Sequence, residues 1–586
     1  MSAAPEKAKG APEHWKTRMG VIMAVAGSAI GLGNFLRFPG LAAQYGSGAF
    51  MIAYFCSFVL LGLPISWVEW AMGRRAGRHG LHGVPGMLVA ITGRPSMRYL
   101  GIFMLLAPLG IYLYYINIEA WCLGYAANFA TGALHFTQTS DAGNFFAGFV
   151  GATGNGNALG IGIGKMGIYL AACFFINFWL LYKGISKGIE KFCLYATPAL
   201  FVIALVVLAR VLTLGTPNAA LPGNNINSGL GYMWNPDKVV LEHSEVTPQG
   251  TTRWVTSTEL VGSASIDAAK AKAAADPTCR VRTISMWRQL CNPQMWMSAA
   301  SQIFFSLSVG FCLILCYASY LRKSDDVVLS ALSATSANEF AEVGLGGMLT
   351  IPAGFAFLGV AGVAGAGTFG LGFNVLPMVF SMMPGGSLFG FLFFILLFIA
   401  AITSSISMLQ PALAYIEEVM PLTRRQSVAL LCTVTTLGSM FVAYFSGGLK
   451  AMDTLDFWFG TFLIFLLATI QMVIFAWGIG VDTIFKEMEL GASFMPPRLF
   501  RFIIKFVSPL FLIAVGSLWV YYELLNIDGG EPSPYVRNLF IKPDSVAVMS
   551  ILFMGLTALF LTMLLKPRDY YRQVAKRSRE LGKAEQ

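Results

Sequence analysis

Residues 27–34 read Gly27-Ser28-Ala29-Ile30-Gly31-Leu32-Gly33-Asn34, in the middle of an apolar run over residues 18–41. Each glycine lowers helix stability by about 1 kcal/mol, so Gly27, Gly31 and Gly33 predict local unwinding. Unwound backbone exposes amides and carbonyls, and inside a bilayer that is tolerated only where those groups line a cavity or bind something. A second interruption, Ser306-Leu307-Ser308-Val309-Gly310-Phe311, lies within a run over residues 297–320. Gly31-Leu32-Gly33 is not a nucleotide fingerprint, because no strand precedes it.

The rest of the chain supplies the membrane. Of 586 residues, 56% are hydrophobic and 12% charged, and the mean hydropathy is +0.65. Soluble domains carry about 25% charged residues, so a soluble enzyme, a secreted disulfide scaffold and a disordered regulator are all poor fits. The nine cysteines show no CxxC pair and no Cys/His zinc spacing. The +10 net charge belongs to flanking loops and does not argue for nucleic acid. About twelve apolar runs of membrane-helix length predict an all-α polytopic membrane protein. Alternating ten-residue barrel strands are absent.

The N-terminus is polar through Arg18, with no cleavable signal. Counted from an inside N-terminus, alternate turns carry Arg74, Arg75 and Arg78; Lys183, Lys187 and Lys191; Arg322 and Lys323; Arg424 and Arg425; and Lys486, Arg498 and Arg501. Basic loops are cytoplasmic, which places both termini inside. The predicted segments are 1–17 (cytoplasmic), 18–214 (five spans), 215–296 (a long outer loop), 297–484 (five spans), 485–566 (two spans) and 567–586 (cytoplasmic tail). In the long loop, Cys279 and Cys291 face an oxidising space, where a disulfide and two free thiols both fit. Two Pro/Gly-rich stretches, residues 214–223 and 361–372, read as outer loops. Small-residue packing accounts for one interrupted helix. Interruptions at matching places in the first helix of each half predict an inverted-repeat secondary transporter.

At these residues the chain resembles the neurotransmitter:sodium symporter family, and in particular its prokaryotic, LeuT-type amino-acid transporters. The resemblance runs from His14-Trp15 to the last span, apart from the long loop. It rests on residues 27–39 (through Phe35-Leu36-Arg37-Phe38-Pro39), Glu69-Trp70-Ala71-Met72-Gly73-Arg74, Gly184-Ile185-Ser186-Lys187-Gly188-Ile189-Glu190, Gln302-Ile303-Phe304-Phe305-Ser306-Leu307-Ser308 and Thr403-Ser404-Ser405. It implies a 5+5 inverted repeat with helices 1 and 6 interrupted, a bacterial inner-membrane location and two sodium sites. One site would take the Ala29 carbonyl, Asn34, Ser306, Asn338 and the substrate carboxylate. The other would take the carbonyls of Gly27, Ile30 and Ala400 with the hydroxyls of Thr403 and Ser404. Hard cations want such oxygens. Ser/Thr hydroxyls in membrane helices commonly bond back to their own helix, but this pair faces an interrupted one.

Amine-transporting relatives place an aspartate where Gly31 stands, and neither break here holds a carboxylate. The resemblance therefore implies an amino acid, its carboxylate held by Tyr115 and the amides of Leu32 and Gly33. Ser28, Ile111, Phe305, Ser308, Phe311, Ser404 and Met408 would surround the side chain. With no Arg, Lys or Asp among them, a neutral, hydrophobic side chain is favoured, since a buried unpaired charge costs several kcal/mol. One methylene is worth only about 1–3 kcal/mol, so the particular amino acid stays open. Ser28 replaces the asparagine of close relatives, and Cys312 replaces a frequent glycine.

The resemblance also implies gates. Arg37 and Asp456 would close the outer vestibule above Tyr115 and Phe305. Glu418, near Ser319 and Tyr320, would close the inner side. Its usual arginine partner falls at Pro12, leaving Lys9 or Lys16 as substitutes, or a looser gate. Glu342, four residues after Asn338 and on the same helix face, would supply the charge that chloride supplies elsewhere, with proton counter-transport a further option. Glu69 would hold the second break. No P-loop, channel-type ring or HExxH is present. The rival readings are a non-transporting amino-acid sensor and a symporter of another small carboxylate. Oligomeric state is open.

Overall fold

The computed structural model describes residues 15–46, 48–160, 162, 164–217, 221–246, 252–525 and 532–584. Among them, nine helices are long and apolar enough to cross a membrane. The pair Arg18–Ala29 and Gly33–Gln44, bent by 45°, makes a tenth. Two more predicted runs are Gly167–Lys183, 17 residues long, and the broken pair Pro293–Leu307 and Leu313–Ala318. At about 1.5 Å per residue, 17 residues reach roughly 26 Å, slightly less than the ~30 Å hydrocarbon core.

The helices Met97–Ala130 and Gly386–Val419 pack along one another, with Gly390 against the Phe129 ring. Small residues permit such close approach where lipid offers no hydrophobic drive. Helix Gly48–Gly77 defines the two ends of the bundle. At one end Gly48 lies against the Asn235 backbone. At the other, Arg74 is fully buried and pairs with Glu487 at 3.0 Å. Its guanidinium also donates to the carbonyls of Asp325 (2.6 Å), Leu490 (2.7 Å) and Glu487. Arg78 reaches the other Glu487 oxygen at 2.7 Å.

One of the two expected Pro/Gly-rich loops is folded. Residues 361–372 do not form an open loop. The helix Met348–Ala364 turns at Gly359 (φ 65°, ψ −166°), and a second apolar helix follows over Gly367–Met382. This hairpin packs onto the first span, where a Cβ on Gly40 would lie 2.9 Å from the Thr368 Cα, and onto helix Met97–Ala130, whose Tyr125 Oη donates to the Phe373 carbonyl at 3.1 Å. Its Gly/Ala content reads as loop, but Gly372 leaves room for the Leu36 side chain. Residues 214–217 and 221–223 are irregular, as expected; residues 218–220 lie outside the described residues.

The long loop holds a helix, Ile226–Trp234, and a three-stranded antiparallel sheet. Its strands are β1 (Lys238–Val246), β2 (Thr252–Leu260) and β3 (Cys279–Ile284), in the order β2-β1-β3. A helix over Ser263–Ala275 joins β2 to β3. Among the described residues strands occur only in this insert, where water can satisfy their edges. Tyr232 Oη donates to the Ala43 carbonyl at 2.9 Å, fixing this insert to the end of the first span. Cys279 and Cys291 are free thiols.

Removing one partner of a buried ion pair leaves an uncompensated charge. Glu487→Leu is expected to destabilise the purified protein by about 3–5 kcal/mol, read as a lowered unfolding midpoint in detergent. Arg501→Gln, at an exposed pair with Asp482, should change it little.

Candidate functional site

Helix Arg18–Ala29 stops because its next donors are taken away. Ile30 turns extended (φ −75°, ψ 96°). The Gly31 N–H, which would close the helical bond to Gly27, donates instead to Asn34 Oδ1 at 2.8 Å. The Leu32 N–H donates to Tyr115 Oη at 3.1 Å. The carbonyls of Gly27 and Ser28 are thereby released from the ladder. Ser28 O accepts from Ser308 Oγ at 3.2 Å and Ser404 Oγ at 3.0 Å, which ties both breaks and helix Gly386–Val419 together. A Cβ on Gly31 would lie 2.7 Å from Ser404 Oγ and 2.8 Å from Tyr115 Oη.

The second break spans Ser308 (φ 56°), Gly310 (φ 89°) and Cys312 (φ 69°). Left-handed backbone costs a non-glycine residue about 1–2 kcal/mol, so Ser308 and Cys312 are held there by their surroundings. Gly310 N–H donates to Glu69 Oε1 at 2.9 Å, and Gln471 Nε2 donates to the same oxygen at 2.5 Å. Cys312 Sγ lies 3.4 Å from the Met104 carbonyl. Glu69 thus holds the second break, as expected.

Beside the first break sits a closed polar cluster. Asn34, Asn338 and Glu342 are fully buried and Ser306 is 1% exposed. Asn338 Nδ2 donates to Ser306 Oγ at 2.7 Å. Asn34 Nδ2 donates to Asn338 Oδ1 at 2.8 Å and Glu342 Oε2 at 3.2 Å. Ser306 Oγ donates to Glu342. Gln302, known from sequence only as part of a motif, donates to Glu342 Oε1 at 2.7 Å. Four residues expected at or near one cation are therefore in mutual contact, around a single carboxylate. Burying a carboxylate is tolerated where donors surround it.

Two residues expected at the other cation site, Gly27 and Thr403, lie side by side. A Cβ on Gly27 would lie 3.3 Å from the Thr403 Cβ. Thr403 Oγ1 donates back to the Ala400 carbonyl at 3.0 Å, the habit of membrane helices. A hydroxyl that donates its proton this way keeps lone pairs for a cation. The expected side-chain pocket is buried: Ile111 fully, Phe311 to 1% and Met408 to 5% exposure. Ile111 precedes Tyr115, and Met408 follows Ser404, by four residues, so each pair shares a helix face.

The outer gate differs from expectation. Arg37 and Asp456 form no ion pair. Arg37 stacks over the Phe305 ring, 4.7 Å from its centroid, and donates to Thr461 Oγ1 at 3.0 Å. Asp456 accepts from Tyr114 Oη at 2.6 Å. Each group has its own partners, the guanidinium a ring face and one hydroxyl, the carboxylate a phenol, and Arg37 Nη1 is buried without an acceptor.

At the basic end, Glu418 accepts from the N–H groups of Gly83 (2.8 Å) and His82 (3.3 Å). His82 stacks on Tyr320 at 4.1 Å, and its Nδ1 lies 2.9 Å from Ser319 Oγ. Glu418, Ser319 and Tyr320 are therefore brought together around His82. Lys16 does not serve Glu418 through its backbone: its N–H donates to Glu190 at 3.1 Å, and its side chain is exposed. Glu190 also accepts from Thr17, and Arg18 reaches Asp326 at 3.5 Å. The indole N–H of Trp15 donates to the Tyr317 carbonyl at 3.0 Å. Lys9, Pro12 and His14 lie outside the described residues.

Comparison with known proteins agrees with this arrangement. The model of the sodium:neurotransmitter symporter family matches residues 12–148 and 278–565. The stretch between them holds β1, β2 and the helix that follows. An uncharacterised sodium-dependent transporter of Methanocaldococcus jannaschii is 26% identical over 539 residues, 89% of this chain and 94% of that protein. The sodium-dependent serotonin transporter of Drosophila melanogaster is 24% identical over 544 residues, 88% of this chain and 78% of that protein. The solved structure of MhsT in complex with L-phenylalanine superposes with a TM-score of 0.68 at 26% identity, covering 86% of this chain and 99% of that one. With two broken helices pinned by Tyr115 and Glu69, and a family match across most of its length, the chain belongs to the sodium:neurotransmitter symporter family and is a sodium-coupled membrane symporter, not an enzyme.

Proposed function

We propose that the chain carries a neutral, hydrophobic amino acid together with sodium, by alternating access. The observation that carries this reading is at Gly31: neither break contains a carboxylate, and Ser404 and Tyr115 close on the position where one would project. An amine would find no counter-ion there. An amino acid brings its own, placed by Tyr115 and the Leu32 and Gly33 amides. The likeness to the phenylalanine-bound MhsT supports the same class.

Two sodium sites follow. The first uses the Ala29 carbonyl, Asn34, Ser306, Asn338 and the substrate carboxylate. The second uses the carbonyls of Gly27, Ile30 and Ala400 with Thr403 and Ser404. Twelve spans place both termini in the cytoplasm of a plasma membrane. The bundle of helices one, two, six and seven rocks against the rest, and each sodium charge moved inward contributes about 2.3 kcal/mol per 100 mV. In rocking, Arg37 leaves the Phe305 face to meet Asp456, while Glu418 with Ser319 and Tyr320 guards the opposite side. Glu342 makes chloride unnecessary by supplying a fixed negative charge beside the first sodium.

Binding of a radiolabelled neutral amino acid to purified protein should require sodium and be competed by apolar amino acids, but not by Lys, Arg, Asp or Glu. Full-strength uptake in potassium alone would overturn the reading. Binding without counterflow in proteoliposomes would mark a sensor. Gly31→Asp should weaken amino-acid binding on the order of a hundredfold, because a buried unpaired charge costs several kcal/mol. Wild-type uptake should be equal in sodium chloride and sodium gluconate, whereas Glu342→Ser should lose uptake in gluconate and regain it in chloride.

A further inference from the structure

A cleft of about 810 Å³ opens at the basic end of the bundle, away from the central site. Arg75 and Arg78 line it from the end of helix Gly48–Gly77, and Lys323 from the turn after the second broken helix. Lys486 and Glu487 line it from the end of Gly447–Glu489, and Arg579 from the final helix, Arg568–Ala584. Five cations therefore face one carboxylate, and Glu487 is already engaged by Arg74 and Arg78. Among the described residues Lys323 and Lys486 form no ion pair, and Arg75 shares Glu487 only at a distance, behind Arg74 and Arg78. Like charges gathered in one concavity repel each other and raise the local positive potential. The arrangement becomes favourable only when an anion enters.

The wall is built for the purpose of closure by the final helix. Ser578 Oγ donates to the Ala90 carbonyl at 2.5 Å, and Arg579 donates to the Gly93 carbonyl at 2.6 Å. Tyr571 on the same helix is fully buried. The rest of the lining includes Ile91, Ile479 and Leu490, apolar surface at the end of a membrane span. Cations above apolar walls suit an amphiphile with an anionic head. Arginines favour phosphate in particular, which they bind through paired N–H donors.

We propose that this cleft binds a phosphate-bearing anion, with the headgroup of an anionic phospholipid as its source. The site is independent of amino acid and sodium, so its test needs neither. The full-length protein in dodecyl maltoside is titrated separately with a short-chain phosphatidylglycerol, a phosphatidylcholine of equal chain length and inorganic phosphate. Binding is read by native mass spectrometry and by the shift in unfolding midpoint. Phosphatidylglycerol should bind saturably and phosphatidylcholine should not. The triple variant Arg75→Gln/Lys323→Gln/Lys486→Gln should weaken phosphatidylglycerol binding about a hundredfold, at roughly fivefold per cation. The single variants Lys323→Gln and Lys486→Gln give the graded loss if the triple is poorly produced. Lys576→Gln/Arg577→Gln, exposed on the same final helix, should leave binding unchanged. Competition by inorganic phosphate supports recognition of the phosphate group itself, and phosphate binding without lipid binding assigns a soluble source. Absence of binding by both anions, or equal losses in the cleft and control variants, overturns the proposal.

Discussion

A backbone amide in a bilayer must find an acceptor, and the central architecture follows from how three such amides find theirs. The N–H groups of Gly31, Leu32 and Gly310 donate to Asn34, Tyr115 and Glu69. Each acceptor is a side chain, and two of the three come from other helices. The breaks persist because these partners replace the helical ladder, and the carbonyls left behind are what gives the site its oxygen-rich character. The same bonds connect the breaks to the long helices that hold Tyr115 and Glu69, so the site cannot change shape without its frame.

Charge inside the membrane is arranged by the same rule of satisfaction. Glu342 is surrounded by donors from Asn34, Gln302, Ser306 and Asn338. Arg74 is fully buried and spends its donors on Glu487 and on carbonyls at the basic end. At the other end, Arg37 and Asp456 each have a private partner. This third arrangement is looser in kind: an aromatic face and a single hydroxyl are easier to leave than a network of buried carbonyls. The basic end is held by Glu190, Asp326 and Glu418.

The parts outside the family match and the parts misread as loop also have physical explanations. The insert forms strands where solvent can reach the edges, and fastens through Tyr232 to the end of the first span. The hairpin after Gly359 meets the first span at two glycines, Gly40 against the Thr368 backbone and Gly372 against the Leu36 side chain. Periodicity and composition describe such a segment as a loop. Contact with a neighbour makes it a helix.

Much of the membrane architecture was legible in the linear chain. Long apolar runs require helices, glycine clusters at two matched places mark where they break, and basic turns mark one end; each depends on local composition alone. Asn34 and Ser306 lie within short, specific motifs, and Asn338 and Glu342 followed from the family resemblance that those motifs carry. Tertiary structure alone decided the rest. It placed Gln302 on Glu342, brought His82 between Glu418 and Tyr320, set Arg37 on Phe305 in place of Asp456, and gathered five cations around one cleft. These contacts join residues far apart in sequence. A side chain's partner is chosen by which helices pack together, and no local pattern records that choice.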